Sequence, residues 1–370
     1  MRIGHLHLAA GCMAAVILAA NGSAAAQKTL TYASHLPATH WLHAAGLQPM
    51  FANIERATGG SLRFELLPNG AMGHSRAMLS VVRERTVDAA VIDGAYTKSE
   101  LPAAAAISDL FILADHGMAM TGAVNEMQWL QCPECAGERE RVGIKALAFV
   151  SSPAYLLMCA RPVAGLPGLS GLNVQATGPA AGWIRAVGAT PVGGAAAEVY
   201  QSMQRGQLDC VLGPPSWLDT RDLKQFVTSV VQQPMGADFG MMAYGMNRRS
   251  WDDLSDAERT AIVDALPGLV RRIAADRQMA SDAAVLAGLE NALQLSPPDD
   301  AMTELLTRHR QRELARAAAI ASDAGVENAE QMLKTFASLI AKWQGIVQGI
   351  GGDPDRFEAA LRSEIFAKLQ

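Results

Sequence analysis

The chain has 370 residues, half of them hydrophobic by type and 18% charged, with a formal net charge of −5. That composition is globular and long enough for two domains with separate cores. An acidic balance with no basic stripe gives nucleic acid nothing to bind.

The N-terminus has one basic residue, an apolar run from about Leu8 to Ala20, then Asn21-Gly22 and Ala24-Ala25-Ala26. This is the three-part layout of a secretory signal with an A-x-A cleavage site. The run is short of the ~20 residues a membrane-spanning helix needs. Residues 1–26 are therefore expected to be removed after about Ala26, leaving a mature chain of charge −6, since they hold one Arg and no acid. A lipidated Cys12 is the rival reading, but the longer apolar segment follows that cysteine rather than preceding it. No later segment is long and apolar enough to span a membrane, so a soluble periplasmic protein is expected.

From Thr29 strands and helices alternate. "TLTYASHL" predicts a strand, "HWLHAAGLQPMFANIERATGG" an amphipathic helix stopped by Gly59-Gly60, "SLRFELLP" a strand, "HSRAMLSVVRER" a helix and "VDAAVIDG" a strand. This grammar argues for a mostly parallel sheet. It returns in "GLNVQA", "PAAGWIRAVG", "TPVG", "AAEVYQSMQRG" and "QLDCVLGP". Asp88 and Asp209 each open the last strand of their unit, an echo that suggests two similar α/β lobes. "ALAFVSSPAYLLMCARPVAG" predicts a strand crossing between them, and "GADFGMMAYGMNRRSW" the return. The remainder is helical. Ser255 and Glu258 form a capping box, Pro267 is expected to kink or restart its helix, and Asp299, Asp300 and Asn328 are candidate helix starts.

Without Cys12, four cysteines remain: Cys132, Cys135, Cys159 and Cys210. An even count in an oxidising compartment suggests disulfides, with three possible pairings. The Cys132-Pro-Glu-Cys135 motif also fits a zinc half-site or a redox pair. A structural zinc would want a second close pair, and Cys159 and Cys210 are single and far apart.

Catalytic signatures are missing: no G-x-S-x-G, no G-x-G-x-x-G after a strand and no Walker loop. His35, His40 and His43 invite a metal reading, but no carboxylate lies in that stretch, and a polar loop is the simpler one. No enzyme activity, cofactor or metal is expected. Open α/β sheets bind ligands beyond the carboxyl ends of their strands. Those ends here offer aromatic, amide and imidazole groups without a catalytic pair, which suits a binding cleft.

Several segments, in order, resemble the periplasmic solute-binding subunit of tripartite ATP-independent periplasmic (TRAP) transporters, the dicarboxylate-binding-protein type. They are "YASHLPATHWLHAAGLQPMFANIERATGGSLRFELLPNGAMG", "LPGLSGLNVQATGPAAGWIRAVGATPVGGAAAEVYQSMQRGQLDC" and "MNRRSWDDLSDAERTAI". The resemblance implies an α/β two-lobed clamshell with lobe-crossing strands and a helical C-terminal part. Lobe I would hold 27–150 plus about 236–285, and lobe II 151–235 plus about 286–370. It also implies a monomer that closes on a small organic solute, usually a carboxylate, and delivers it to TRAP membrane subunits. A sensing subunit that transports nothing is the alternative.

One departure stands out against that family pattern. Where it typically has an Arg gripping the ligand carboxylate, this chain has Gln175. Forked, charge-assisted bonds from Arg are worth roughly 1.5–3 kcal/mol each, and an uncharged amide cannot replace them. Gly213, just before Pro214, likewise replaces a polar cleft residue. Either the ligand is neutral or cationic, or Arg161 or Arg185 takes over, or the site has decayed or serves only as a receptor. The expected ligand-binding set is Gln175, Arg161, His40, Tyr96, Ser152, Tyr155, Pro214 and Trp217.

Overall fold

The computed structural model describes residues 27–194, 198–289 and 291–369; the expected export signal and Cys12 lie outside them. Its strands are β1 (Lys28–Ala33), β2 (Leu62–Leu67), β3 (Ala89–Asp93), β4 (Ile144–Val150), β5 (Leu156–Cys159), β6 (Asn173–Gln175), β7 (Thr190–Val192), β8 (Cys210–Gly213), β9 (Ser229–Val231), β10 (Met241–Asn247) and β11 (Gln294–Ser296). They form two sheets, ordered β2-β1-β3-β10-β4 and β11-β9-β5-β8-β6-β7. Each sheet has a parallel part. β1 runs parallel to β2 and β3, and β6 to β7 and β8. The crossing strands β10 and β5 enter antiparallel to their neighbours.

The sequence explains these elements locally. In β1, Leu30 and Tyr32 are buried while Thr29 and Thr31 point outward, the period-two pattern of a half-buried strand. The helix Gln48–Ala57 buries Met50, Phe51 and Ile54 on one face, and Gly59 and Gly60 follow it at φ 60° and 82°, where glycine has no steric penalty. In β5, Leu157 and Cys159 enter one apolar cluster, while Leu156 and Met158 enter another on the opposite face. The second sheet is therefore covered on both sides, and its central strands β5 and β8 read as continuous apolar runs.

The echo between the two units has a physical basis. Asp88 Oδ2 accepts from the backbone N–H of Thr31 at 2.8 Å, and Asp209 Oδ2 accepts from that of Asn173 at 2.8 Å. Each acid thus ties its strand to the neighbouring parallel strand, one residue before the two begin to pair. The capping box at Ser255 and Glu258 forms. Asp299 caps the helix Asp300–Asp323 through Ala301 N–H at 2.9 Å. The helix Asp256–Arg271 runs through Pro267 without restarting.

The cysteines pair as Cys132–Cys135 and Cys159–Cys210, with S–S separations of 1.99 and 2.14 Å. The second joins directly opposed residues of β5 and β8. No helix among the described residues is long and apolar enough to cross a membrane.

Two lobe assignments differ from expectation. From Ala317 onward, the buried apolar side chains, including Phe336, Trp343, Phe357 and Phe366, join the core of the first sheet and not the second. The anchor is a notch. Trp343 lies so close to Gly122 that a Cβ there would come within 2.2 Å of its ring. Trp343 Nε1 donates to Glu126 Oε2 at 2.7 Å, and Lys342 Nζ bridges Glu126 and Glu364 at 2.8 Å each. Conversely, Phe111 and Ile112, expected in lobe I, pack into the core of the second sheet.

Three outcomes follow for thermal or denaturant melts. Gly122→Ala overpacks a buried indole and should lower stability by about 1–3 kcal/mol or more. The Cys159→Ala/Cys210→Ala pair opens a crosslink of sequence separation 51, at a cost of about 2–4 kcal/mol. Cys132→Ala/Cys135→Ala, of separation 3, should cost less.

Candidate functional site

The carboxyl ends of β3 and of β6 and β8 face each other across a cleft of about 530 Å³. The first sheet's side contributes Gly94, Ala95, Ser108, Asp109 and, from the return crossing, Asp238. The second contributes Tyr155, Gln175, Thr177, Leu212 and Trp217, with Phe111 between.

Gln175 is the last residue of β6, paired with Val211. The turn into the helix Gly178–Ala186 follows, with Gly178 at φ 52°. This ending leaves the amide at the cleft wall, largely buried. Among the described residues it has no hydrogen-bond partner, so its donors and acceptor are available to a ligand.

Gly213 explains the aromatic wall. β8 ends there, the Trp217 backbone N–H donates to Pro214 O at 3.0 Å, and the chain folds back so that the indole fills the space a side chain at 213 would take. A Cβ on Gly213 would lie 2.5 Å from the Trp217 ring. The ring centroids of Trp217 and Tyr155 are 6.0 Å apart, and those of Tyr155 and Phe111 5.2 Å apart, edge to face. The Arg221 guanidinium sits 4.3 Å from the Trp217 centroid, on the indole face. Burial, and then the charge of Asp238, push the Tyr155 phenol well above its usual range, so it stays protonated.

Asp238 is the acid that sequence reading missed. Its Oδ1 accepts from Gly240 N–H at 3.0 Å, and the side chain is open to the cleft. Enclosure between the lobes pushes its carboxyl above the usual range, the Gly240 N–H opposes this and Asp93 adds to it. Water in the open cleft still reaches the group, so the push grows when a ligand displaces that water. The other charged lining groups, Lys98 and Asp109, neutralise each other at 2.6 Å.

The remaining expected residues fall outside the lining. Arg161 is at the opposite end of the second sheet, 3.4 Å from Asp209. β5 runs antiparallel to β8, so its N-terminal end, not its C-terminal end, reaches the cleft. Arg185 is exposed and lines a neighbouring hollow of about 350 Å³ with Glu313 and Arg316. His40 pins its own loop: Nδ1 accepts from Leu42 N–H at 3.2 Å, and burial, with His43 and His35, lowers its pKa to about 4. His43 Nε2 is 2.9 Å from Ser34 Oγ and so is also engaged. Tyr96 is 40% exposed, beneath the Arg76 guanidinium at 4.6 Å. Pro214 is buried and serves the turn that carries Trp217. Ser152 braces the two crossings, its Oγ accepting from Asp238 N–H at 3.0 Å and donating to Pro153 O at 2.9 Å.

Comparison with known proteins agrees with this architecture. The profile of the DctP family, bacterial extracellular solute-binding protein family 7, matches residues 32–302. Among solved structures, a TRAP periplasmic solute-binding protein from Desulfovibrio salexigens superposes with a TM-score of 0.74 at 18% identity, covering 86% of this chain and 98% of that one. A marine metagenome TRAP solute-binding protein specific for aromatic acid ligands, in complex with metahydroxyphenylacetate, gives 0.71 at 18% identity, covering 86% and 99%. One from Bordetella bronchiseptica with bound (R)- and (S)-mandelate gives 0.66 at 22% identity, covering 85% and 99%. At these identities the superpositions show the fold, and the profile match over most of the chain shows more: the protein belongs to the DctP family of bacterial extracellular solute-binding proteins.

Proposed function

We propose that this protein is the periplasmic subunit of a TRAP transporter, capturing a small solute that carries an amine or hydroxyl groups, not a C4-dicarboxylate, and delivering it to the membrane subunits. The observation that carries this reading is the charge of the cleft. Among its described lining residues the only cation, Lys98, is already paired with Asp109, while Asp238 opens onto the space beside Gln175. A ligand carboxylate would meet a repelling acid and a neutral amide, and would keep several kcal/mol of its desolvation cost. An ammonium would gain Asp238 and the faces of Tyr155 and Trp217, and a hydroxyl could donate to Asp238 or Gln175. Delivery to membrane subunits is supported by the TRAP proteins among the structural neighbours.

An aromatic acid is the second reading, favoured by the row Phe111, Tyr155 and Trp217 and by the acids bound to two of the neighbours. The two readings separate in a thermal-shift screen of amino alcohols, polyols, aromatic acids and succinate, preceded by native mass spectrometry of the purified protein. A ligand at 100 times its Kd adds about 2.7 kcal/mol. We expect amino alcohols or polyols to raise the melting temperature; a shift with acids alone overturns the proposal.

Three variants refine it. Asp238→Asn should weaken an amine ligand at least tenfold in calorimetric titration, and Gln175→Arg should bring in carboxylate binding. Gly213→Ser should evict the Trp217 indole from the wall, abolishing the ligand-induced shift while the unliganded protein still melts cooperatively.

A further inference from the structure

A hollow of about 810 Å³ opens at the far end of the first sheet, away from the cleft. There Ile144 at the start of β4 pairs with Asn247 at the end of β10, whereas the Val150–Met241 end of the same pair faces the cleft. Four cations line it, Arg139, Lys145, Arg248 and Arg259, against two acids, Glu140 and Asp256. Trp129 and Trp251 also line it.

The cations are not equivalent. Arg259 pairs with Asp256 at 2.7 Å, and Arg248 with Asp252 at 3.2 Å. Arg139 donates to the side-chain and backbone oxygens of Gln128, both neutral. Lys145 stands over the Trp251 ring at 5.5 Å. Among the described residues neither Arg139 nor Lys145 has an ion-pair partner. Burial lowers both their pKa values, and for Lys145 the guanidinium of Arg248 adds to it ahead of the opposing Asp252. Glu138 opposes the effect at Arg139, and the Glu140 carboxylate stands exposed at the rim. A half-buried ammonium among guanidiniums is electrostatically costly until an anion joins it.

We propose that this hollow is a second ligand site, taking a small multiply charged anion between Lys145 and Arg139, with the two indoles as apolar walls. Every wall belongs to the first lobe, so occupancy does not require the clamshell to close. The cleft and this site can then fill independently, which separates this inference from any assignment of the cleft ligand.

The test uses citrate and inorganic pyrophosphate as separate probes, in calorimetric titration and thermal melts of the full mature protein at low salt. We expect at least one probe to bind with one-to-one stoichiometry and raise the melting temperature; which one binds distinguishes carboxylate from phosphate chemistry. Lys145→Met should weaken that binding at least tenfold, and Lys145→Arg should retain it. The unliganded Lys145→Met protein should melt no lower than wild type, since like-charge repulsion is relieved. Lys224→Met, a charge-matched change of an exposed lysine on the second lobe, should leave binding unchanged. Failure of both probes to bind overturns the proposal, as does an equal loss in the Lys145→Met and Lys224→Met proteins.

Discussion

The insertion of β10 between β3 and β4 is the constraint on which the molecule turns. β10 is hydrogen-bonded on both edges, and all but its first residue is buried. Strands β5 to β9 lie between β4 and β10 in the chain, so the chain leaves the first sheet, runs through most of the second and returns. That return forces two crossings to lie side by side, where Ser152 and Asp238 join them through paired backbone and side-chain hydrogen bonds. The cleft opens beside this junction. Its acid, Asp238, is there because the chain must come back through that point.

Much of this architecture could be read in the sequence because it rests on local rules. Alternation in "TLTYA", the glycine stop after the helix Gln48–Ala57, the Ser255–Glu258 box and the paired Asp88 and Asp209 all report geometry set by neighbouring residues. Lobe membership of the C-terminal helices was not legible. An amphipathic stripe such as Phe336, Ile340 and Trp343 declares that a face is buried, but not against which partner. The partner was Gly122, a residue whose contribution is the absence of a side chain. Phe111 and Ile112 crossed to the other core for a similar reason, since nothing local marks the sheet that an apolar pair will meet.

The site shows the same division. Gln175, Tyr155 and Trp217 stand at the cleft because strand ends and crossings can be placed from pattern. Arg161 was misplaced because strand direction within a sheet is a tertiary property, and the antiparallel entry of β5 reverses which end meets the ligand space. Asp238 lay within the recognised return crossing, and an acid in a segment bound to pass the cleft was the available signal. His40 has the residue type of a ligand group, but its imidazole accepts from Leu42 N–H within its own loop.

The contact between Gly213 and Trp217 has a consequence for descent. The two positions claim one volume, so a polar side chain at 213 and an indole at 217 exclude each other. A lineage moving between a polar and an aromatic wall must change both residues, and each single step passes through a clash or a void. Divergence in ligand preference at this wall is therefore epistatic, and the pair, not either residue, is the unit on which selection acts.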